Sequence, residues 1–357
     1  MKSKNKKVVI IGPFPEPLTG LNISNLTVYN ILKKNKFLVN RIDMEINRRL
    51  DDSIGKWRWY KLKILYIYIE AYKIITANIV YCTVGQSFLG IIKYAPFLII
   101  ATVFRKRKVV HLHGNALIYN YQEFGSIKKF LAKITLKMFD KAIVLSDSLR
   151  PNFKPFLKNN QIFTCHNFIS LVEVSTFQEP SQNLNILFLS NLIPAKGIIP
   201  FLHGVEELYS VHKDIEVHIA GTISDDYPAI KMYLSKLSFV TFHGSVTGLE
   251  KATLLEKADV FCLPTLNEHE GQPLSILESL KSKCYIISSN VPGVSDIISD
   301  KNGELIWPIT SKSIKIAMEK IYLDRERLEK VKSYNLEHSK DFSLQNFEKN
   351  IIPLIVE

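Results

Sequence analysis

The chain contains no internal repeat at the period of a solenoid or propeller and no low-complexity segment, so array architectures and disordered tails are excluded. It has only four cysteines, Cys82, Cys165, Cys262 and Cys284, each in a separate apolar stretch with no CxxC and no matching histidine spacing. A disulfide framework or a zinc site is therefore not expected, and the four read as small buried hydrophobes in a reducing compartment. No GxGxxG follows the first strand-like run, which argues against a dinucleotide cofactor. No DxD triplet stands at a strand end; Asp225-Asp226 after Gly221 reads as a turn, and no metal requirement is expected. The one long apolar stretch, Phe88 to Phe104, is interrupted by Lys93 and Pro96 and is short for a membrane span, so it reads as a buried helix. The opening MKSKNKKVVIIGPFPEP begins like a signal peptide, but its apolar run stops at Ile11 before Gly12-Pro13. That is better as a first buried strand of a chain that stays in the cytoplasm.

What is present is a sizeable core and an excess of positive charge. The 357 residues are 46% hydrophobic, enough for two α/β domains, and the formal net charge is +12. Nucleic acid, anionic lipid head groups and phosphorylated small molecules could each answer that charge. No RNP, KH or helix-turn-helix pattern accompanies it, so nucleic acid is not the expected partner. From Lys56 to Lys73, KWRWYKLKILYIYIEAYK interleaves Lys56, Arg58, Lys61 and Lys63 with Trp57, Trp59, Tyr60, Tyr66 and Tyr68, and a second basic cluster covers Arg105 to Lys108. Such a mixture suits a bilayer interface, or else a solvated helix with its Tyr and Ile turned to the core.

Short, continuous apolar runs alternate with helical stretches along the whole chain. In the first half the strand candidates are Val8 to Ile11, Leu38 to Ile42, Ile79 to Cys82, Val109 to Leu112, Ala142 to Leu145 and Ile162 to Cys165. In the second half they are Ile186 to Leu189, Glu216 to Ala220, Val240 to Phe242, Val260 to Leu263, Tyr285 to Ser288 and Glu304 to Ile306. Continuous rather than alternating apolarity means strands covered on both faces, as in a parallel sheet between helices. The polar segment SLVEVSTFQEPSQNLN breaks the pattern. The expected organisation is an α/β chain of two doubly wound, Rossmann-like domains, residues 1–170 and 185–335, joined by a linker at 171–184, with a helix at 336–357 returning to the first domain. Ligands bind beyond the carboxyl ends of such sheets, so two facing sheets are expected to share one interdomain cleft.

The most informative segment runs from Leu263 to Ile297. A strand enters a loop carrying Glu268, His269 and Glu270; Gly271, Gln272 and Pro273 then open a helix that begins around Leu274 and bears Glu278. Proline fits a first helical position, whose nitrogen has no intrahelical acceptor, and the free amides and dipole of that end suit a phosphate. Two carboxylates beside a phosphate would repel it unless they bind hydroxyls, which assigns them to a sugar. The stretch EGQPLSILE, with Glu270 and Glu278 eight positions apart, followed by a strand and VPGVSDI, resembles the E-x7-E signature of family 4 glycosyltransferases. The resemblance implies the GT-B fold, a nucleotide held by the C-terminal domain and an acceptor by the N-terminal one. It also implies Glu270 on hydroxyls of the transferred sugar and Glu278 on the ribose.

Three further matches extend the resemblance over nearly the whole chain, strongly from Leu184 to Ile306 and loosely from Asn35 to Val103. In ILFLSNLIPAKGIIPF, Lys196 precedes Gly197 and a helix, where its ammonium would meet a diphosphate. The family usually has Gly-Arg in place of Ser190-Asn191, so the lysine carries over and the arginine does not; Asn191 can give one hydrogen bond but no charge. In VVHLHGN, His111 and His113 lie two apart, on one face, and His113 at the strand end is the one expected next to the transferred sugar. In GPFPEPLTGLN, Gly20, between Thr19 and Leu21, permits close backbone approach to donor phosphate and acceptor. Lys251 heads the helix region expected before the E-x7-E segment.

The activity implied is retaining transfer of a hexosyl group from a nucleoside-diphosphate sugar, UDP-linked, to a hydroxyl. No cofactor is implied beyond that donor substrate. Because the glutamates are better explained as hydroxyl ligands than as a nucleophile, a front-face substitution is preferred to double displacement, with Lys196 and the amides of Gly271 to Leu274 stabilising the departing diphosphate. The expected acceptor is a glycan or polyprenyl-diphosphate-linked glycan at the cytoplasmic face of the inner membrane, in surface polysaccharide (O-antigen or capsule) synthesis. A non-hydrolysing UDP-sugar 2-epimerase and a catalytically silent sugar-nucleotide-binding subunit are the alternatives.

Overall fold

The computed structural model describes residues 6–16, 19–45, 56–172, 183–224 and 226–357, apart from the side chains of 56–60. Residues 173–182 of the expected linker, Asp225, and the side chains of Lys56 to Tyr60 lie outside the described residues. Two compact units make up the chain: Met1–Asn167 with Phe347–Glu357, and Phe168–Asn346.

The first unit is built from β1 (Lys7–Gly12), α1 (Gly20–Lys34), β2 (Leu38–Asp43), α2 (Lys56–Ile69), α3 (Tyr72–Ile75), β3 (Ile79–Cys82), α4 (Phe88–Ile92), α5 (Ala95–Val103), β4 (Arg107–Leu112), α6 (Leu117–Glu123), α7 (Ser126–Lys137), β5 (Lys141–Val144) and β6 (Ile162–Thr164). Its sheet has the order β2-β1-β3-β4-β5-β6, and every pairing is parallel. The chain steps one way from β1 to β2 and the other way from β2 onward. Right-handed crossovers therefore put α1 on one face and α2 to α7 on the other.

The second unit follows the same logic: β7 (Leu184–Leu189), α8 (Ile198–Val211), β8 (Ile215–Ala220), α9 (Pro228–Leu234), β9 (Val240–Phe242), α10 (Gly248–Lys257), β10 (Val260–Leu263), α11 (Leu274–Lys281), β11 (Tyr285–Ser289), β12 (Gly303–Ile306), α12 (Ser311–Leu323) and α13 (Arg325–Ser339). Its parallel sheet runs β12-β11-β10-β7-β8-β9, which, counted within the unit, is the 3-2-1-4-5-6 order of doubly wound folds. The last helix, α14 (Leu344–Val356), belongs from Phe347 onward to the first unit, where Glu348 meets Lys34 at 3.1 Å and the Asn35 amide at 2.8 Å. All twelve strands anticipated from the continuous apolar runs are present, with ends shifted by a residue or two. For the interior strands the reason is burial on both faces, since all four residues of β3 and of β10 and all six of β7 are buried, whereas the edge strands β2 and β9 are largely open to solvent. The four thiols are free and buried.

Each sheet changes direction once, and there the loops after two adjacent strands diverge and leave a crevice. In the first unit that point lies between β1 and β3, and a buried polar contact closes its floor. The Asn25 side chain of α1 donates to the Pro13 carbonyl at 2.8 Å and to Thr83 Oγ1 at 2.9 Å, joining the loops after β1 and β3. Asn25→Ala leaves both acceptors in a dry site, which costs about 1–3 kcal/mol. Chemical denaturation is expected to show that loss; an unchanged midpoint would refute the role given to Asn25.

Candidate functional site

In the second unit the direction change lies between β7 and β10, and Lys196, Gly197 and Glu270 gather at the carboxyl ends of these two strands. After β7 the chain makes one tight turn, Pro194–Lys196, and Gly197 takes φ +76°, a left-handed conformation. A Cβ there would come within 1.8 Å of the Pro264 carbonyl oxygen, so only glycine lets the two loops touch. The contact is fixed by Leu266 N–H donating to the Ala195 carbonyl at 2.9 Å. These constraints bring Lys196 against Glu270, Nζ to Oε2 2.6 Å, with both side chains largely buried. The Thr265 hydroxyl lies 3.2 Å from Glu270 Oε2 and from the Ala195 carbonyl, bracing the same pair. Thr265 carried no sequence signal; it is recognisable only once the loops are in contact.

Glu278 lies inside α11 and is 4% exposed. Burial pushes its carboxyl above the usual range, and Lys251 of α10 pulls it back by an ion pair at 2.6 Å. Lys251, read in the sequence only as a landmark before the glutamates, is thus the direct partner of the second one. Pro273 sits at the N-cap rather than at the first helical position, and α11 opens at Leu274. The difference has a simple cause: with φ −63° and ψ 125° the proline's own backbone is still extended. Gly271 and Gln272, on the loop into α11, are buried, and Leu274 is half-buried. Gly293 of the VPGVSDI segment, φ +82°, packs so closely on Gly271 that a Cβ would lie 2.0 Å from its carbonyl oxygen. This explains why that segment accompanies the glutamates. Asn191 is exposed, in the same post-β7 loop as Lys196.

In the first unit, Gly20 opens α1 behind Thr19, whose hydroxyl caps the helix by accepting from Asn22 N–H at 3.2 Å. His113 follows the end of β4 and is half-buried, as the strand reading anticipated for its place in the chain. Its ring lies 4.1 Å, centroid to centroid, from that of His111, so the two do share a face. His111 Nδ1 is 2.6 Å from the Tyr81 hydroxyl. His113 Nε2 is shielded from solvent and has no hydrogen-bond partner among the described residues. Burial lowers the His113 ring to about 4, and burial with the neighbouring His113 lowers His111 well below the ordinary value. Both are therefore neutral at neutral pH.

This produces a pH dependence with a definite sign. A histidine in the unfolded chain titrates near ~6.5, so between there and about 4 the unfolded state binds protons that the folded His113 refuses. Stability falls as the pH drops through that window. Denaturant midpoints at about pH 7 and about pH 5 should differ less in His113→Gln than in the parent protein; an undiminished difference contradicts the assignment.

Among the described residues no group of three or more His, Cys, Asp or Glu side chains is arranged to hold a metal ion. Comparison with known proteins agrees with the geometry of the second unit. A family profile described as "Glycosyl transferases group 1" matches residues 183–324. Phosphatidyl-myo-inositol mannosyltransferase of Mycolicibacterium smegmatis is 23% identical over 147 residues; the match covers 39% of this chain and 37% of that protein, well under half the length of the relative. Two solved structures resemble the chain over 98% of its length and of theirs: HepE of Anabaena in complex with UDP and glucose, with 14% identity and a TM-score of 0.70, and sucrose-phosphate synthase of Thermosynechococcus elongatus, with 13% identity and a TM-score of 0.74. The chain thus has the fold of the GT-B glycosyltransferases, and its second unit carries a match to the glycosyl transferases group 1 domain.

Proposed function

We propose that the protein is a retaining glycosyltransferase that moves a hexosyl group from a nucleoside-diphosphate sugar, UDP-linked, to a hydroxyl of a glycan acceptor. The observation that carries this reading is the Lys196–Glu270 pair at the direction change of the second sheet. It holds a cation and a hydroxyl acceptor side by side. A sugar bonded to a diphosphate presents the complementary groups, anionic oxygens and ring hydroxyls, at adjacent positions.

In this reading Lys196 and the first amides of α11, around Gly271 to Leu274, take the diphosphate, and its charge grows as the glycosidic bond breaks. Asn191 adds a neutral hydrogen bond in the same loop, and Gly20 gives the backbone of the first unit close access to its ligand. Glu270, already engaged by an ammonium and a hydroxyl, is a poor nucleophile and serves as a ligand of the sugar hydroxyls. Glu278, paired with Lys251, accepts from the ribose. His113, neutral at working pH, acts as a hydrogen-bond partner of the transferred sugar rather than as a charge. With the leaving group neutralised by an ammonium and helix amides, no metal is required.

The acceptor proposed is lipid-linked, at a membrane surface, as in the assembly of a bacterial surface polysaccharide. No helix among the described residues is long and apolar enough to cross a membrane. Support comes from α7, whose Ile127, Phe130, Leu131 and Ile134 are 78%, 63%, 39% and 41% exposed and fall on one stripe of the helix. Lys128, Lys129, Lys133 and Lys137 flank that stripe, and the helix has no acidic residue. An apolar stripe bordered by ammonium groups suits the interface of an anionic bilayer. In α2, Leu62, Leu65 and Ile69 are also exposed while Ile67 is buried and Tyr68 stacks on Phe97 at 5.2 Å. That helix thus turns Ile67 and Tyr68 to the core and leaves Leu62, Leu65, Tyr66 and Ile69 outward.

Two outcomes are expected. Lys196→Ala should lower kcat for sugar transfer by roughly 100-fold or more, the cost of removing one donor to a developing oxyanion, measured as release of nucleoside diphosphate with a panel of donor sugars. Parent-like turnover in the variant would refute the assignment. Ile127→Ser/Phe130→Ser should sediment less with phosphatidylcholine vesicles containing phosphatidylglycerol than the parent does. Equal sedimentation would remove α7 from the membrane-facing surface.

A further inference from the structure

The carboxyl ends of the strands do not account for the densest positive charge on the first unit. At the opposite edge of that sheet, where β3 and β4 begin, lies a cavity of about 590 Å³. Five cations line it, Lys6, Arg105, Lys106, Arg107 and Lys108, against one carboxylate, Asp140. That carboxylate is already used: it accepts from the Lys108 amide at 2.7 Å and pairs with the Lys108 ammonium at 3.1 Å. Lys6 donates to the Val356 carbonyl at 2.6 Å. Arg105, Lys106 and Arg107 have no carboxylate partner among the described residues.

A bland explanation accounts for part of this. Basic residues favour the end of a helix, and Arg105, with φ +52°, follows the last turn of α5. It does not account for Arg107, which has left the helix and entered β4. Its Nη1 is shielded from solvent and makes no hydrogen bond. A guanidinium stays charged and is costly to bury without an acceptor. Burial and then the Arg107 cation push the neighbouring Lys141 ammonium below its usual range, with Glu357 opposing the shift.

We propose that this cavity is an anion site that binds a phosphate group, held by Arg107 and Lys106 with Arg105 at the mouth. A planar fork and an adjacent ammonium match a tetrahedral oxyanion. The site is separate from His113: the rise of the strand from Arg107 to His113 places them roughly 20 Å apart. Two sources share the chemistry, a free phosphate compound and a phospholipid head group. Val103 and Phe104, 70% and 46% exposed beside Arg105, provide an apolar rim that the second source would use. The inference does not depend on the glycosyltransferase reading.

The test uses the full chain and inorganic phosphate, with chloride at matched ionic strength as the control, and reads thermal stabilisation and calorimetric binding. Phosphate should stabilise the parent beyond chloride. Lys106→Ala and Arg107→Gln, each checked by circular dichroism, should bind phosphate at least about tenfold more weakly, the loss of one charge-assisted contact. Lys330→Ala, an exposed lysine of α13 outside the cavity, should respond as the parent does, and Lys196→Ala reports any phosphate taken up at the loops of the second unit. If Arg107→Gln does not fold, the more accessible Lys106→Ala carries the comparison. The proposal is overturned if phosphate gives the parent nothing beyond chloride, if both pocket variants keep the parent's affinity, or if only Lys196→Ala loses it. Vesicles of phosphatidylcholine with phosphatidylglycerol then separate the sources. A head-group site requires Lys106→Ala to lose vesicle binding along with phosphate binding, and a free-phosphate site requires it to lose phosphate binding alone.

Discussion

The structure of the second unit depends on one close approach, the meeting of the loops after β7 and β10 at Gly197 and Pro264. Parallel strands that adjoin while their connections depart in opposite directions leave a crevice, and the crevice alone has no chemistry. It acquires chemistry because a left-handed glycine lets one loop rest on the other's carbonyl. That contact presses Lys196 against Glu270. Any side chain at Gly197 would separate the loops, and with them the cation from its carboxylate.

The two units solve the same folding problem in different ways. Both bury parallel strands between helices, but the first places its direction change after two strands and the second after three. In the first, the loops at that point are joined by a neutral amide, Asn25, and the titratable groups are histidines held uncharged by burial. The second joins its loops with an ammonium–carboxylate pair, Lys196 with Glu270, and a further pair, Lys251 with Glu278, links α10 to α11. At the carboxyl ends of the strands, an ammonium–carboxylate pair thus stands in the second unit and neutral polar side chains in the first.

The interior strands were legible in the sequence because burial on both faces writes itself as uninterrupted apolar runs; α5 carries such a run too, and its length and Pro96 set it apart from the strands. The position of the glutamate pair was legible because Gly271, Pro273 and Gly293 are needed for the loop geometry and stand at fixed distances from it. Partners across the fold were not legible. Nothing local to Lys251 or Thr265 announces that each ends beside a particular glutamate, since those contacts join residues brought together only by sheet order. The outward stripe of α7 was hidden for another reason. Its sequence offers two apolar stripes, one with Ile127, Phe130, Leu131 and Ile134 and one with Ala132, Thr135 and Leu136, and only packing decides that the second turns inward. A proline near a helix start is consistent with either of two adjacent positions, and the backbone angles of Pro273 decide between them.

The central claim is that Lys196 and Glu270 together define a site for a diphosphate bonded to a sugar. Calorimetric titration of the parent and of Lys196→Ala with UDP and with uridine tests it most directly. The account predicts that the variant loses at least about tenfold in affinity for UDP, the value of one charge-assisted contact, while uridine binds both proteins alike. Equal affinity of the two proteins for UDP would contradict it.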